Sequence, residues 1–123
     1  MEFLLLAVET EAAFAERDDP DRAPAYWAGW QGYVTALEEA GVLRGANGLH
    51  PPATATTVRV VEGRVDVQDG PYADTKEQLG GYFVVDVPDL DAALGWAGRC
   101  PSAAAGGSCE VRPVLPPPRP AGA

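Results

Sequence analysis

The chain alternates between short apolar runs, typical of strands, and two longer segments with helical periodicity. Residues 2 to 8 are almost wholly apolar and predict a buried first strand. Residues 24 to 40 carry apolar side chains at helical spacing, with a proline at the start and Gly41 after the end, and predict a helix. The acidic residues 9 to 21 between them predict a solvated connection.

The second half of the chain predicts a hairpin followed by a strand, a helix and a strand. Residues 56 to 61 and 64 to 67 alternate in polarity around Glu62-Gly63, which favours a two-residue turn. The remaining predicted elements are strands over 42–49, 82–87 and 109–115, a helix from its N-cap Asp89 to Pro101, and an extended proline-rich tail over 116–123.

This order of elements predicts one α+β domain over residues 1 to 115, in a chain of 123 residues. The predicted fold is ferredoxin-like, with helices on one face of an antiparallel sheet. Its other face would be apolar and would need cover. A second copy of the sheet would provide that cover, so we expect a face-to-face homodimer.

Charge excludes some functions. The formal net charge is −9, from 18 acidic and 9 basic residues, and the sequence has no basic stripe, which argues against nucleic acid and anionic membrane partners. The sequence contains no run of transmembrane length and no signal-peptide pattern, so we expect a cytoplasmic protein. Cys100 and Cys109 should then be reduced, and two thiols with one histidine do not form a zinc site. We expect no metal and no cofactor.

Residues 69 to 81, reading DGPYADTKEQLGG, join the hairpin to the next strand and carry most of the candidate chemistry. Asp69-Gly70-Pro71 is typical of a turn. A base beside a group that stabilises an oxyanion suffices to enolise or isomerise a carbonyl compound without a cofactor. The candidates are Asp69, Asp74 and Glu77 as bases, Lys76 as the cation, His50 as a proton carrier, and Tyr26, Trp30 and Tyr72 as binding surfaces.

Three interpretations remain open at this point. A ligand-binding or isomerase- or lyase-like cleft requires Lys76 and Asp69 to face a cavity lined by Tyr26 or Trp30. A structural role is favoured by Gly70 and by Gly80-Gly81, since glycines act through the backbone. The carboxylates of Asp74 and Glu77 can also simply pair with Lys76 on one helical turn. A non-enzymatic interaction module, whose acidic surface would suit a basic partner, is the third interpretation.

Residues 69 to 81 resemble the motif of the DGPF subgroup of the YCII-related proteins, with Tyr72 in place of phenylalanine. The similarity extends through residues 51–59, 86–91 and 110–113. The resemblance implies a dimeric α+β barrel. It also implies a regulatory association with an extracytoplasmic-function sigma factor as an alternative to a small-molecule activity.

The same resemblance bears on mechanism. Better-studied YCII-type proteins are credited with a His–Asp pair, and the matching positions here are Tyr26 and Cys100. Tyrosine and cysteine ordinarily ionise above pH 7, so they cannot replace histidine as an acid–base group at neutral pH. The family's proposed mechanism is therefore not expected in this chain.

Overall fold

The computed structural model of the protein describes residues 1–73 and 75–117. Its strands are β1 (Glu2–Thr10), β2 (Leu43–Gly48), β3 (Thr56–Val61), β4 (Arg64–Asp69), β5 (Glu77–Asp86) and β6 (Ser108–Pro113). Its α-helices are α1 (Glu11–Glu16), α2 (Ala23–Glu39), α3 (Leu90–Gly98) and α4 (Pro101–Ala104), and a single 3₁₀ turn covers Pro52–Thr54.

Four strands form the main sheet in the order β2-β5-β1-β6, with every neighbouring pair antiparallel. The strand and helix order is that of a ferredoxin-like fold, so the predicted α+β class is confirmed. Strands β3 and β4 form a separate two-stranded sheet.

The core lies between the main sheet and helices α2 and α3. Alternate residues of β1, namely Phe3, Leu5 and Ala7, point into it because side chains of a strand alternate between faces. Helix α2 contributes Tyr33 and Leu37 from one face, as its periodicity predicts. Burying each such leucine or phenylalanine side chain contributes about 2 kcal/mol relative to leaving it in water.

The opposite face of the main sheet is apolar and half-exposed. It carries Leu4, Leu6 and Val8 from β1 and Tyr82 and Val84 from β5. The homodimer expected to cover this face stays a prediction.

Helix α1 corrects the sequence prediction for residues 9 to 21. The Thr10 hydroxyl accepts a hydrogen bond from the Ala13 amide and caps the helix, and Phe14 is buried. Three alanines and a good N-cap favour this short helix despite the acidic neighbours. Residues 9 to 16 therefore belong to packed elements, whereas Asp18, Pro20 and Asp21 are exposed, as predicted for a solvated connection.

The hairpin turn is confirmed. Glu62 and Gly63 both have positive φ, 51° and 76°, as a type I′ turn requires. The cross-strand pairs Val58 with Val67 and Val60 with Val65 place four exposed valines on one face of this two-stranded sheet.

Several boundaries differ from the sequence prediction, most of all at the start of β5 and before Pro101. Strand β5 begins at Glu77, inside the DGPYADTKEQLGG stretch, because Glu77 to Leu79 already pair with β1. Helix α3 ends at Gly98, before Pro101, and Pro101 instead opens α4, where its fixed φ suits the first turn. The Asp89 side chain caps α3 as predicted, at 2.9 Å from the Ala92 amide. Residues 118 to 123 of the predicted tail lie outside the described part of the chain.

Candidate functional site

A buried carboxylate lies at the polar end of the core. Glu9 follows Phe3, Leu5 and Ala7 on the helix-facing side of β1, and only 2% of its surface is exposed. Its backbone pairs with Gln78 of β5. Because an unpaired buried charge is costly, Glu9 must be matched by a cation or by hydrogen-bond donors.

Glu9 is held by Arg17 and Tyr26, and the three side chains form a closed triad. Arg17 Nη2 donates to Glu9 Oε2 at 2.8 Å, and the Tyr26 hydroxyl donates to Glu9 Oε1 at 2.5 Å. Arg17 Nε donates to the Tyr26 oxygen at 2.8 Å. Each member is thus fixed by the other two.

Arg17 also joins the triad to the surrounding backbone. Its Nη1 donates to the carbonyl of Leu49 at 2.5 Å and its Nη2 to the carbonyl of Gly80 at 3.2 Å. The guanidinium lies about 5 Å from the ring centres of Phe14 and Trp27. Cation–π contacts of this kind strengthen when the cation is shielded from water, and the Arg17 side chain is only 9% exposed.

The Tyr26 hydroxyl stays protonated over the whole neutral range. Burial raises the pKa of Tyr26 to about 12, and the hydrogen bond to Glu9 acts in the same direction. Tyr26 therefore serves as a hydrogen-bond donor to Glu9, while its oxygen accepts from Arg17 Nε and keeps its second lone pair for another donor.

An aromatic cavity opens beside the triad. It measures about 410 Å³, and its polar and charged lining residues are Arg17, Tyr26, Glu38 and Asn47. Trp30 stacks on Phe83 at 5.9 Å between ring centres with an interplanar angle of 13°. The rest of the lining is mainly apolar or glycine and includes Trp27, Val34, Leu43, Ala46, Gly48, Gly80 and Gly81.

A second, smaller cavity of about 220 Å³ lies on the other side of Tyr26. Tyr26, Glu9, Pro101 and Ser102 line it. This brings Tyr26 close to the segment that follows Cys100, the two positions matched to the family's His–Asp pair. Cys100 itself is fully buried beside Ser102, at 3.3 Å between Sγ and Oγ, and both cysteines are free thiols.

His50 and those predicted side chains of the DGPYADTKEQLGG stretch that the structure describes line neither of these two cavities. Asp69 and Lys76 line a cavity of about 530 Å³, whereas His50 and Tyr72 line one of about 740 Å³. These four side chains and Glu77 are exposed. Asp74 lies outside the described residues.

Neither Asp69 nor Lys76 therefore faces a cavity lined by Tyr26 or Trp30, as the cleft interpretation of this stretch required. The physical reason is the position of Glu9, whose carboxylate lies between the cavity of Asp69 and Lys76 and the smaller cavity of Tyr26 and Trp30. Glu9 lines the cavity of Asp69 and Lys76, and it also lines the smaller cavity of Tyr26 and Trp30.

Sequence reasoning found Tyr26 and Trp30 but missed Glu9 and Arg17. The signal for Glu9 was the strand alternation itself, since it occupies the next inward position after Ala7. Arg17 had no such local signal, because its partners Glu9, Tyr26, Leu49 and Gly80 come together only in the folded chain.

In the part of the chain that the structure describes, no helix is long and apolar enough to cross a membrane. Among the same residues, no group of three or more histidine, cysteine, aspartate or glutamate side chains is arranged to hold a metal ion.

Comparisons with known proteins agree with this architecture. An uncharacterised protein of Rhizobium meliloti strain 1021 is 44% identical over 77 residues, which make up 62% of this chain and 62% of that protein. A solved structure of a 5-chloro-2-hydroxyhydroquinone dehydrochlorinase, TftG from Burkholderia phenoliruptrix AC1100, is similar in fold, with a TM-score of 0.54, 14% identity and 94% of each chain covered. Residues 1–117 match the profile of the YCII-related domain. The chain therefore belongs to the YCII-related family.

Proposed function

We propose that this chain binds a small planar ring compound carrying a hydroxyl or carbonyl group in the aromatic cavity, and that Tyr26 and Glu9 move a proton at that group. The observation that carries the proposal is the closed Glu9–Arg17–Tyr26 triad, two members of which, Arg17 and Tyr26, line a 410 Å³ cavity. A cavity of this size and apolar character, with a few convergent polar groups, is typical of small-molecule sites.

The triad can carry a proton in two linked steps. A hydroxyl of the bound compound donates to the Tyr26 oxygen, whose own proton already lies on a hydrogen bond to Glu9 Oε1. As the compound's O–H bond breaks, Tyr26 gains that proton and passes its original proton to Glu9. The compound becomes an enolate or phenolate, Tyr26 remains neutral, and Glu9 becomes a carboxylic acid.

Arg17 supplies the charge stabilisation for this transfer. When Glu9 takes up the proton, the guanidinium loses its anionic partner and can interact with the new anion on the compound. Arg17 lines the same cavity as Tyr26, so the two charges would lie within one cavity whose lining is mainly apolar. A fixed cation at the position of a developing anion is a large contribution to catalysis.

The aromatic lining favours a flat ring. Trp27 is 46% exposed at the cavity and meets Tyr26 edge-to-face at 4.7 Å between ring centres. An exposed indole beside the stacked Trp30–Phe83 pair offers surfaces against which a planar ring can pack. The compound bound to the dehydrochlorinase, 2,5-dihydroxybenzoquinone, is a ring of this kind and supplies a first probe.

The proposal is tested by calorimetric titration with 2,5-dihydroxybenzoquinone and a panel of hydroxylated aromatic rings, half of them methylated at oxygen. We expect the free hydroxyls to bind more tightly than their methyl ethers, because the ethers cannot donate to Tyr26. Tyr26→Phe should weaken binding about tenfold, the loss of one hydrogen bond of about 1.4 kcal/mol.

Tyr72→Phe is the matched control, because Tyr72 is 79% exposed and lines a different cavity. It should leave affinity unchanged, as should Lys76→Ala. The proposal fails if no ring of the panel binds, or if Tyr72→Phe or Lys76→Ala weakens binding as much as Tyr26→Phe. The sigma-factor partner implied by the resemblance finds no support in the comparisons and stays a prediction.

A further inference from the structure

Gly80 is a motif glycine whose backbone does not require glycine. Among the residues that the structure describes, the glycines with positive φ are Gly41, Gly63, Gly70 and Gly106, and Gly80 is not one of them. Conformational freedom therefore does not explain why a side chain is missing there.

Steric overlap explains the missing side chain instead. The β1–β5 register passes from Ala7 opposite Gly81 to Val8 opposite Leu79, so Gly80 is the extra residue of a β-bulge. A Cβ at this position would overlap Glu9 Oε2 and lie 2.7 Å from Glu9 Cδ and 3.2 Å from Arg17 Nη2. The carboxylate of Glu9 thus occupies the space that a side chain at residue 80 would fill.

The neighbouring Gly81 makes a different contact. A Cβ there would lie 3.1 Å from the backbone oxygen of Asn47, on the strand β2 that pairs with β5. Gly81 is therefore explained by strand packing, and only Gly80 is explained by the triad.

We propose that Gly80 is a positioning residue of the Glu9–Tyr26 pair: its missing side chain lets the Glu9 carboxylate lie over β5, between Arg17 and Tyr26. This inference adds a residue to the proposed site. It rests on the proposed function only where it concerns proton transfer. The carbonyl of Gly80 adds to the same role, because it accepts from Arg17 Nη2. The part of the DGPYADTKEQLGG motif that contacts the triad is thus Gly80, and not the charged side chains of the motif that the structure describes.

The test is a double-mutant cycle that needs no ligand. Gly80→Ala is made in the wild type, in Glu9→Ala, which empties the contested space, and in Glu9→Gln, which keeps it filled. Gly80→Ala should lower the urea midpoint of the wild type and of Glu9→Gln and leave that of Glu9→Ala unchanged. Gly95→Ala is the matched glycine control, because a Cβ at Gly95 has nothing within 4 Å.

The second readout is the ionisation of Tyr26, followed as tyrosinate absorbance and isolated by subtracting the same titration in the Tyr26→Phe background. Displacing Glu9 removes an acceptor of the Tyr26 proton, so Gly80→Ala should lower the titration midpoint by about one pH unit. Gly95→Ala should not shift it. A purely structural strain at residue 80 would lower stability without this shift.

Equal losses of stability in the wild type and Glu9→Ala would overturn the inference, as would an unchanged Tyr26 titration. If Gly80→Ala alone does not fold, folding of the double variant with Glu9→Ala supports the inference, and failure of both overturns it. Because the cycle uses no ring compound, a failed ligand panel would remove the proposed function and leave this geometry standing.

Discussion

Two charged clusters in the described part of the chain stand in contrasting surroundings. Glu9 and Arg17 are almost fully buried and tied to Tyr26 and to backbone carbonyls. Asp69 and Lys76 line an open cavity with exposed side chains. The second cluster belongs to the more recognisable sequence motif, yet the first has the geometry of a site.

The difference teaches that burial decides how strongly a charge acts. Coulomb interactions are several times stronger away from water than at a solvated surface, where salt also screens them. The buried pair is therefore coupled to stability and, in the proposed function, to proton transfer, whereas the exposed charges have little influence on either. Four predictions test this contrast.

Arg17→Met should destabilise the protein by about 3 kcal/mol or more, because it leaves the Glu9 carboxylate buried without its cation. Urea denaturation monitored by circular dichroism measures the loss. Arg22→Met is the matched control, since the Arg22 side chain is 69% exposed and its two ion pairs are long. Similar effects of the two substitutions would remove the contrast between the clusters.

Stability should fall with rising pH more steeply in the wild type than in Tyr26→Phe. The pKa of Tyr26 is raised to about 12 in the folded state by burial, above its unfolded value near 10. Its contribution is thus complete below pH 10 and is lost as the pH rises through 12. After allowance for partial solvent exposure we expect a difference on the order of 1–2 kcal/mol.

The comparison isolates Tyr26 because Tyr33, whose pKa is also raised by burial, is present in both proteins. Urea midpoints at pH 9, 10, 11 and 12 provide the measurement. Parallel curves for the two proteins would contradict the prediction.

Gly70→Ala should cost about 1 kcal/mol, because Gly70 has a φ of 102°, where a side chain is strained, although the space around it is open. The loss should be the same in the Glu9→Ala background, unlike that of Gly80→Ala. If the loss of stability from Gly70→Ala differed between the wild type and Glu9→Ala, the turn would be coupled to the buried cluster and the prediction would be wrong.

Lys76→Ala should change the free energy of unfolding by less than about 0.5 kcal/mol, as for most exposed substitutions. Thermal denaturation at low and high salt checks this. A loss above 1 kcal/mol would place Lys76 in a stabilising network and weaken the contrast.

The sequence predicts the parts of the fold that rest on local chemistry. The turn at Glu62-Gly63, the cap at Asp89 and the apolar face of α2 depend on residues near in sequence, and all three are present. Thr10 capping a short helix was overlooked because the acidic residues around it also fit a loop.

The buried triad could not be predicted in the same way. Glu9 looks like the polar end of a strand, and Arg17 like one more surface charge. Their pairing depends on where β5 and the loop at Leu49 lie in the folded chain, and on the bulge that leaves room at Gly80. Tyr26 and Trp30 were found because aromatic residues on a helix face are visible in the sequence whatever they contact.

The position of β1 at the centre of the sheet also governs when the triad can form during synthesis. Strand β1 is made first, but its two partners, β5 and β6, are made last. A nascent chain that lacks residues beyond 76 leaves Glu9 without β5 and without the carbonyl of Gly80 that anchors Arg17. Contacts this distant in sequence slow folding, so the triad forms only as translation of the domain nears its end.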